Sequence, residues 1–177
     1  FYKKLEELNI DYFAVAYASE GILLRKAGIK TPILVLLPQA NSIEEIVKFD
    51  LEPSLYAFSI LKTFLKFFKE KNLKKHPVHI KLNTGLNRVG FNSDNLPAVV
   101  SKLLKSDNIL VKSIYSHLAA SEDFSETSFS ETQIELFNAM SSDVISKLGY
   151  TPMLHICNTS GLINFPDAHY DMVRSGI

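Results

Sequence analysis

Short apolar runs alternate with longer amphipathic stretches along almost the whole chain. Asp11–Ala16 (DYFAVA) and Ile33–Leu37 (ILVLL) are compact, rich in aromatic, aliphatic and β-branched residues, and bounded by turn residues, which predicts buried strands. Further strands are expected at Leu55–Phe58, Val78–Asn83, Leu110–Leu118, Leu154–Asn158 and Ala168–Arg174. The stretches between them carry helical spacing. Helices are expected over Phe1–Asn9, Ser19–Gly28, Asn41–Phe49, Ser59–Asn72, Asn95–Lys105 and Phe129–Leu148. In Ser59–Asn72, Ile60, Leu61, Phe64, Leu65, Phe67 and Phe68 recur three to four apart with lysines opposite, the pattern of a helix packed on a core. Ser130-x-x-Gln133 has the spacing of a capping box at the start of the last long helix.

Short buried strands separated by helices imply parallel βαβ units. Seven strands, opening on a helix and closing on a strand, are the order of a (β/α)8 TIM barrel lacking its first strand and the helix after its last. Such barrels need about 250 residues, and this sequence has 177. The expectation is a truncated α/β barrel filling residues 1–177 as one partial domain, cut from a longer protein. The start at Phe1 without methionine agrees with such a cut. A doubly wound open sheet is the alternative, but no strand is followed by Gly-x-Gly-x-x-Gly.

Composition narrows the partners. Nineteen basic residues balance nineteen acidic ones, so no basic stripe is available for a nucleic acid backbone. A hydrophobic share of 46% supports a packed core. No apolar run approaches the roughly 20 residues of a membrane span. The single Cys157 excludes an internal disulfide and fits a reducing compartment, so a cytoplasmic location is expected. The five histidines show neither HxH nor HExxH spacing, and no metal site is expected.

In a parallel barrel the chemistry sits at the C-terminal ends of the strands, and four of these ends carry polar groups. Alternation in the fourth strand puts Val78, Ile80 and Leu82 toward the helices and His79, Lys81 and Asn83 toward the interior. A lysine inside a barrel is costly unless paired or altered, and Arg88 follows seven residues on, a second cation toward one site. The fifth strand ends in Ser116-His117, a flat imidazole able to stack on a planar ring. The sixth runs into Asn158-Thr159-Ser160-Gly161, with hydroxyls and backbone N–H groups that suit an anion. The last strand ends in Arg174, a permanent cation, before a Ser-Gly turn where Gly176 and Ile177 offer backbone N–H groups. Each has an ordinary structural explanation alone. Together they describe a cationic, anion-binding mouth.

The segments KLNTGLNRVGF, SHLAASED, CNTSGLINFP and AHYDMVRSGI, in this order and spacing, resemble the barrel domain of bacterial alanine racemases. The resemblance extends over nearly the whole chain. It implies pyridoxal 5′-phosphate as cofactor, interconversion of L- and D-alanine for peptidoglycan, an amino-acid substrate and a homodimer. By the family pattern Arg174 would contact the cofactor's pyridine nitrogen. Thr159, Gly176 and Ile177 would hold the phosphate with Asn158 beside them, and His117 would lie against the ring. Arg88 would meet the cofactor's phenolic oxygen and the substrate carboxylate. Lys81 falls where many members carry a carbamylated lysine, whose negative charge would orient Arg88. The SHLAASED segment is further similar to racemases fused behind a muramoyl-peptide ligase.

Departures from the pattern are Asn83 for aspartate, Leu86 for methionine, Thr159 for serine and Ser175 for proline. Asn83 removes a charge near Arg88 that would help orient it. The resemblance implies a further C-terminal β-domain absent from this chain, and the family's two proton-transfer groups, a Schiff-base lysine on the first strand and a tyrosine from that domain of the partner subunit, are expected outside it. Alternatives are another amino-acid racemase or a decarboxylase on the same barrel, and a non-catalytic single-barrel pyridoxal phosphate carrier.

Overall fold

The computed structural model describes residues 1–176. In chain order the elements are α1 (Tyr2–Glu7), β1 (Phe13–Val15), α2 (Ala18–Lys26), β2 (Ile33–Val35), α3 (Ile43–Lys48), β3 (Glu52–Leu55), α4 (Phe58–Glu70), β4 (His76–Lys81), α5 (Leu96–Leu104), β5 (Ile109–Tyr115), α6 (Thr127–Leu148), β6 (Met153–His155) and α7 (Thr159–Asn164). The strands pair in sequence order, β1 through β6, and every pairing is parallel. This is the strand order of a parallel α/β barrel, realised here as a part of one.

Three expectations need correction. Ala168–Arg174 forms no strand among the described residues. The segment begins in a 3-10 turn at Pro166–Ala168, and Tyr170 takes a left-handed φ of 49°. The chain then runs beside β6 through isolated bonds, Asp171 N–H to Leu154 O at 3.1 Å and Arg174 N–H to Cys157 O at 3.0 Å. The Asp171 carboxylate takes the Leu154 N–H, so a regular ladder cannot start there. The third strand lies three residues earlier than expected, at Glu52–Leu55, and Pro53 sits within it opposite Val35. Finally, Ser130 and Gln133 lie inside α6, which begins at Thr127 after a 3-10 turn capped by Asp123. No capping box forms, and Ser130 Oγ is buried with no partner.

The strands sort their side chains to two faces. Ile33, Val35, Leu55, Val78, Ile80 and Val111 enter a hydrophobic core with Leu61, Phe64 and Phe68 of α4 and Val99, Val100 and Leu103 of α5. This is the layer the alternation in β4 anticipates. The opposite face is polar: Ser54, His79, Ser113 and His155 are each wholly buried there. A buried polar layer is stable only when its donors and acceptors are matched. Ser130 Oγ, on α6, is the single unpartnered buried side-chain polar atom among the described residues. Below the sheet, Arg25 at the end of α2 donates to the carbonyls of Ile29, Thr31, Phe49 and Asp50, tying the approaches to β2 and β3 together.

After β4 the chain makes a closed excursion and returns at Phe91. Phe91 N–H donates to Lys81 O, and Asn83 N–H donates to Phe91 O, each at 2.9 Å. The Asn83 amide braces the interior of this loop. Its Nδ2 donates to Asn87 and Asn92 Oδ1 at 2.9 and 2.8 Å, and its Oδ1 accepts from Asn87 N–H at 3.0 Å. Gly90 closes the loop with φ at 132°, where a Cβ would lie 2.7 Å from Asn83 N and 2.8 Å from Leu82 C. Neither neighbour is a flexible side chain. Gly90→Ala is therefore expected to cost about 2–4 kcal/mol in urea denaturation, combining backbone strain with a backbone clash.

Candidate active site

A cleft of about 750 Å³ opens at the C-terminal ends of the strands. Lys81 ends β4, Tyr115 ends β5, His117 follows it, and Asn158 and Thr159 begin α7. The loop after β4 carries Arg88, and the final segment brings Arg174 and Gly176. All seven of the anticipated residues within the described chain, Lys81, Arg88, His117, Asn158, Thr159, Arg174 and Gly176, line this one cleft. Ile177 lies outside the described residues.

Arg174 is the most heavily bonded. Its Nη2 donates to Ser116 O at 2.7 Å and to Ile156 O at 3.3 Å, and it reaches His117 Nδ1 at 3.2 Å; its Nη1 donates to His155 Nδ1. The guanidinium carbon lies 5.3 Å from the Tyr115 ring centroid. His155 stacks on that ring, with centroids 4.9 Å apart and planes 4° from parallel. Tyr115 is fixed in turn by its hydroxyl's 2.7 Å bond to Ser54 Oγ.

Lys81 is 6% exposed, and its Nζ sits 4.7 Å from the Tyr115 ring centroid. No carboxylate pairs with it among the described residues. Burial, reinforced by the charges of Arg174 and Arg88, pulls its ammonium down to about 7 from 10.5. Burial beside the same cations takes His117 down to about 4, which keeps its ring neutral at physiological pH. Its Nδ1 accepts from Arg174, which assigns the ring proton to Nε2. Arg88 is exposed at the rim.

The Thr159 hydroxyl bonds Gly176 from both sides, accepting from its N–H at 2.9 Å and donating to its carbonyl. Asn158 caps α7: its Oδ1 accepts from Gly161 N–H at 2.9 Å and Ser121 Oγ at 2.7 Å. The cleft thus presents three basic side chains and the hydroxyls of Thr159, Ser160 and Ser175, and no carboxylate lines it among the described residues. Such a donor set suits an anionic ligand, and its size admits a phosphorylated aromatic ring with a small amino acid.

Tyr115, His155 and Gln133 were not read as site residues from sequence. The first two follow the inward alternation that marked His79 and Lys81, extended to β5 and β6. Gln133 left no comparable signal. From within α6 it accepts from Ala119 N–H at 2.9 Å and donates to His117 O at 3.2 Å, bracing the backbone that carries His117.

A parallel α/β barrel with a cationic cleft at its strand ends belongs to the class that holds anionic cofactors or substrates there. The chain belongs to the alanine racemase N-terminal domain family, whose profile matches residues 2–177. It is 35% identical over 178 residues to alanine racemase 1 of Caldanaerobacter subterraneus subsp. tengcongensis, covering 99% of this chain and 45% of that protein. An amino-acid racemase of Enterococcus faecalis is 34% identical, with 98% of this chain and 24% of that protein covered. The alanine racemase of Clostridium difficile 630 in complex with cycloserine superposes with a TM-score of 0.88 at 28% identity, covering 99% of this chain and 48% of that one. The chain spans about half the length of most relatives it matches.

The buried amine has a consequence for stability. Between pH 7 and 10.5 the unfolded chain holds a proton on Lys81 that the folded chain does not, so its contribution to stability rises with pH across that window. In bicarbonate-free buffer, Lys81→Met should stabilise the protein by about 2 kcal/mol at pH 6, an advantage that shrinks by pH 9.5. Denaturant titrations of both proteins at the two pH values check this.

Proposed function

We propose that this chain is the cofactor-holding half of a pyridoxal 5′-phosphate-dependent alanine racemase, which interconverts L- and D-alanine and supplies the D-isomer for peptidoglycan. The single observation that supports it best is the convergence of Lys81, Arg88 and Arg174 on one cleft that no carboxylate lines among the described residues. The relatives at 33–35% identity add the substrate. When bound, pyridoxal phosphate supplies a carbonyl that condenses with the substrate amine and a ring that accepts electrons as the α-proton leaves.

In this reading Arg174 would contact the ring nitrogen. A guanidinium keeps its own proton, so it donates a hydrogen bond there without protonating the nitrogen. That contact, without proton transfer, would leave the cofactor a moderate electron acceptor and so favour return of a proton to the α-carbon over side reactions. His117, neutral and pinned through Nδ1, offers a flat face to the ring. Thr159 and Gly176 would hold the phosphate with Asn158 next to them, and Ile177 is proposed as a further phosphate donor. Arg88 receives the substrate carboxylate and the cofactor's phenolic oxygen.

Lys81 acts on Arg88. An amine whose proton leaves near pH 7 can add carbon dioxide, forming an N–C bond and releasing a proton. The resulting carbamate converts a repelling cation into an anion that orients Arg88. The two groups that move the α-proton are assigned to segments beyond these 177 residues, one of them from the partner of a homodimer. A cytoplasmic location follows from the same reading. The Enterococcus relative favours a second reading, racemisation of a different amino acid.

Full-length protein loaded with pyridoxal phosphate should interconvert L- and D-alanine, followed by chiral chromatography against a panel of amino acids. Racemisation of another residue in preference to alanine selects the second reading, and racemisation of none refutes both. Lys81→Ala should raise the KM for alanine several-fold and lower kcat, about 1–2 kcal/mol in kcat/KM. Acetate or chloride should restore part of the loss by occupying the vacated site. Unchanged kinetics, with an intact mass showing plain lysine in the parent, would remove the carbamate from the account.

A further inference from the structure

Five side chains form one unbroken line of hydrogen bonds across the polar face of the sheet. It runs from Arg174 to His155, from His155 Nε2 to Ser113 Oγ at 2.8 Å, from Ser113 Oγ to His79 Nδ1 at 2.6 Å, and from His79 Nε2 to Glu52 Oε2 at 2.8 Å. Tyr12 also donates to Glu52 Oε2, at 3.1 Å. The three middle members are wholly buried, so water does not complete their bonding.

The two ends permit one direction only. Arg174 has donors and no acceptor, so His155 Nδ1 must be bare and its proton must sit on Nε2. That proton goes to Ser113 Oγ. The hydroxyl must therefore give its own proton to His79 Nδ1, which places the His79 proton on Nε2, facing the carboxylate. A carboxylate accepts, and it already accepts from Tyr12. Every donor points from Arg174 toward Glu52. An imidazolium at His79 would turn the Ser113 hydroxyl round and deliver a proton to His155 Nε2. His155 would then carry its own proton on Nδ1, against the guanidinium. The groups facing the two rings are Tyr12, Glu52, Ser113, Tyr115, Lys81 and Arg174. Burial and the Arg174 charge hold His155 well below its ordinary range, in keeping with a neutral ring.

We propose that Glu52 is a positioning residue for Arg174: through His79, Ser113 and His155 its carboxylate fixes the direction of the chain that grips the guanidinium. With Nη1 held by His155 and Nη2 by Ser116 and Ile156, the Nε–H and the second Nη1 proton have no protein partner among the described residues. Arg174 lines the cleft, so these are the donors left for a ligand. The direction of the chain stands whatever the reaction; its influence on the reaction rests on the racemase reading.

Long-range ¹H–¹⁵N spectra of the full-length protein, labelled at histidine and arginine, test it. At pH 7 both His79 and His155 should carry their proton on Nε2 alone. Glu52→Leu should move part of the His155 population to the Nδ1 tautomer and speed exchange of the Arg174 guanidinium protons about tenfold. In a Ser113→Ala background the same change should leave His155 no further altered, because the line is already cut. Glu52→Gln keeps an acceptor oxygen and the shape without the charge. It should preserve the tautomers with a smaller acceleration, roughly threefold, and it serves if the leucine variant does not fold. Either histidine doubly protonated or protonated on Nδ1 in the parent overturns the proposal. So does Arg174 exchange that Glu52→Gln leaves unchanged. Alanine racemisation measured on the same samples separates the two readings, since its absence with intact tautomers removes the racemase and leaves the chain of bonds.

Discussion

A guanidinium that cannot shed its proton ties together segments of this fold up to 58 residues apart in the chain. Through Ser116 O, Ile156 O and the two imidazoles, Arg174 joins the ends of β5 and β6 to a final segment that has no ladder of its own. The main-chain bond from Arg174 to Cys157 adds to that grip. The left-handed turn at Tyr170 and the intercepted Leu154 N–H rule out strand formation, so side-chain bonding holds what backbone pairing does not. A charge placed there also sets the electrostatic character of everything nearby. It helps keep His117 and His155 neutral and helps lower Lys81.

The sequence made the apolar half of the architecture plain, because hydrophobic periodicity reports burial directly. The α4 face with Ile60, Leu61, Phe64 and Phe68 and the outward layer of β4 lie where their spacing puts them. The polar half was harder to read. Glu52, Pro53 and Ser54 look like loop residues, yet they form β3, because a parallel strand lining a polar interior need not be apolar. Tyr115 and His155 are legible only once alternation in one strand is carried to its neighbours by parallel register. The supposed last strand failed for the opposite reason: an apolar pattern was present, and a local turn overrode it.

The convergence on one cleft was legible because Lys81, His117 and Thr159 lie at or just past strand ends, where cations and small hydroxyl residues stand out against an apolar run. Residues that act from a helix interior were not. Gln133 supports the backbone of His117 and Ala119 from within α6, and nothing in its local sequence distinguishes it from a solvent-facing glutamine. Its capping spacing with Ser130 pointed elsewhere, since helix starts are decided by the turn at Asp123 rather than by the pair three residues apart.

The loop that carries Arg88 is latched by three carboxamides, those of Asn83, Asn87 and Asn92, where a family pattern with aspartate would place a charge. A carboxamide both gives and receives, so Asn83 can serve acceptors on two neighbours and a backbone donor at once, which a carboxylate cannot. The latch carries no ionisable group. Acidification and salt, which loosen loops built on ion pairs, have nothing in it to neutralise or screen. Arg88 is therefore mounted on a support indifferent to the medium, while burial lowers the pKa of Lys81, which lines the same cleft, to about 7.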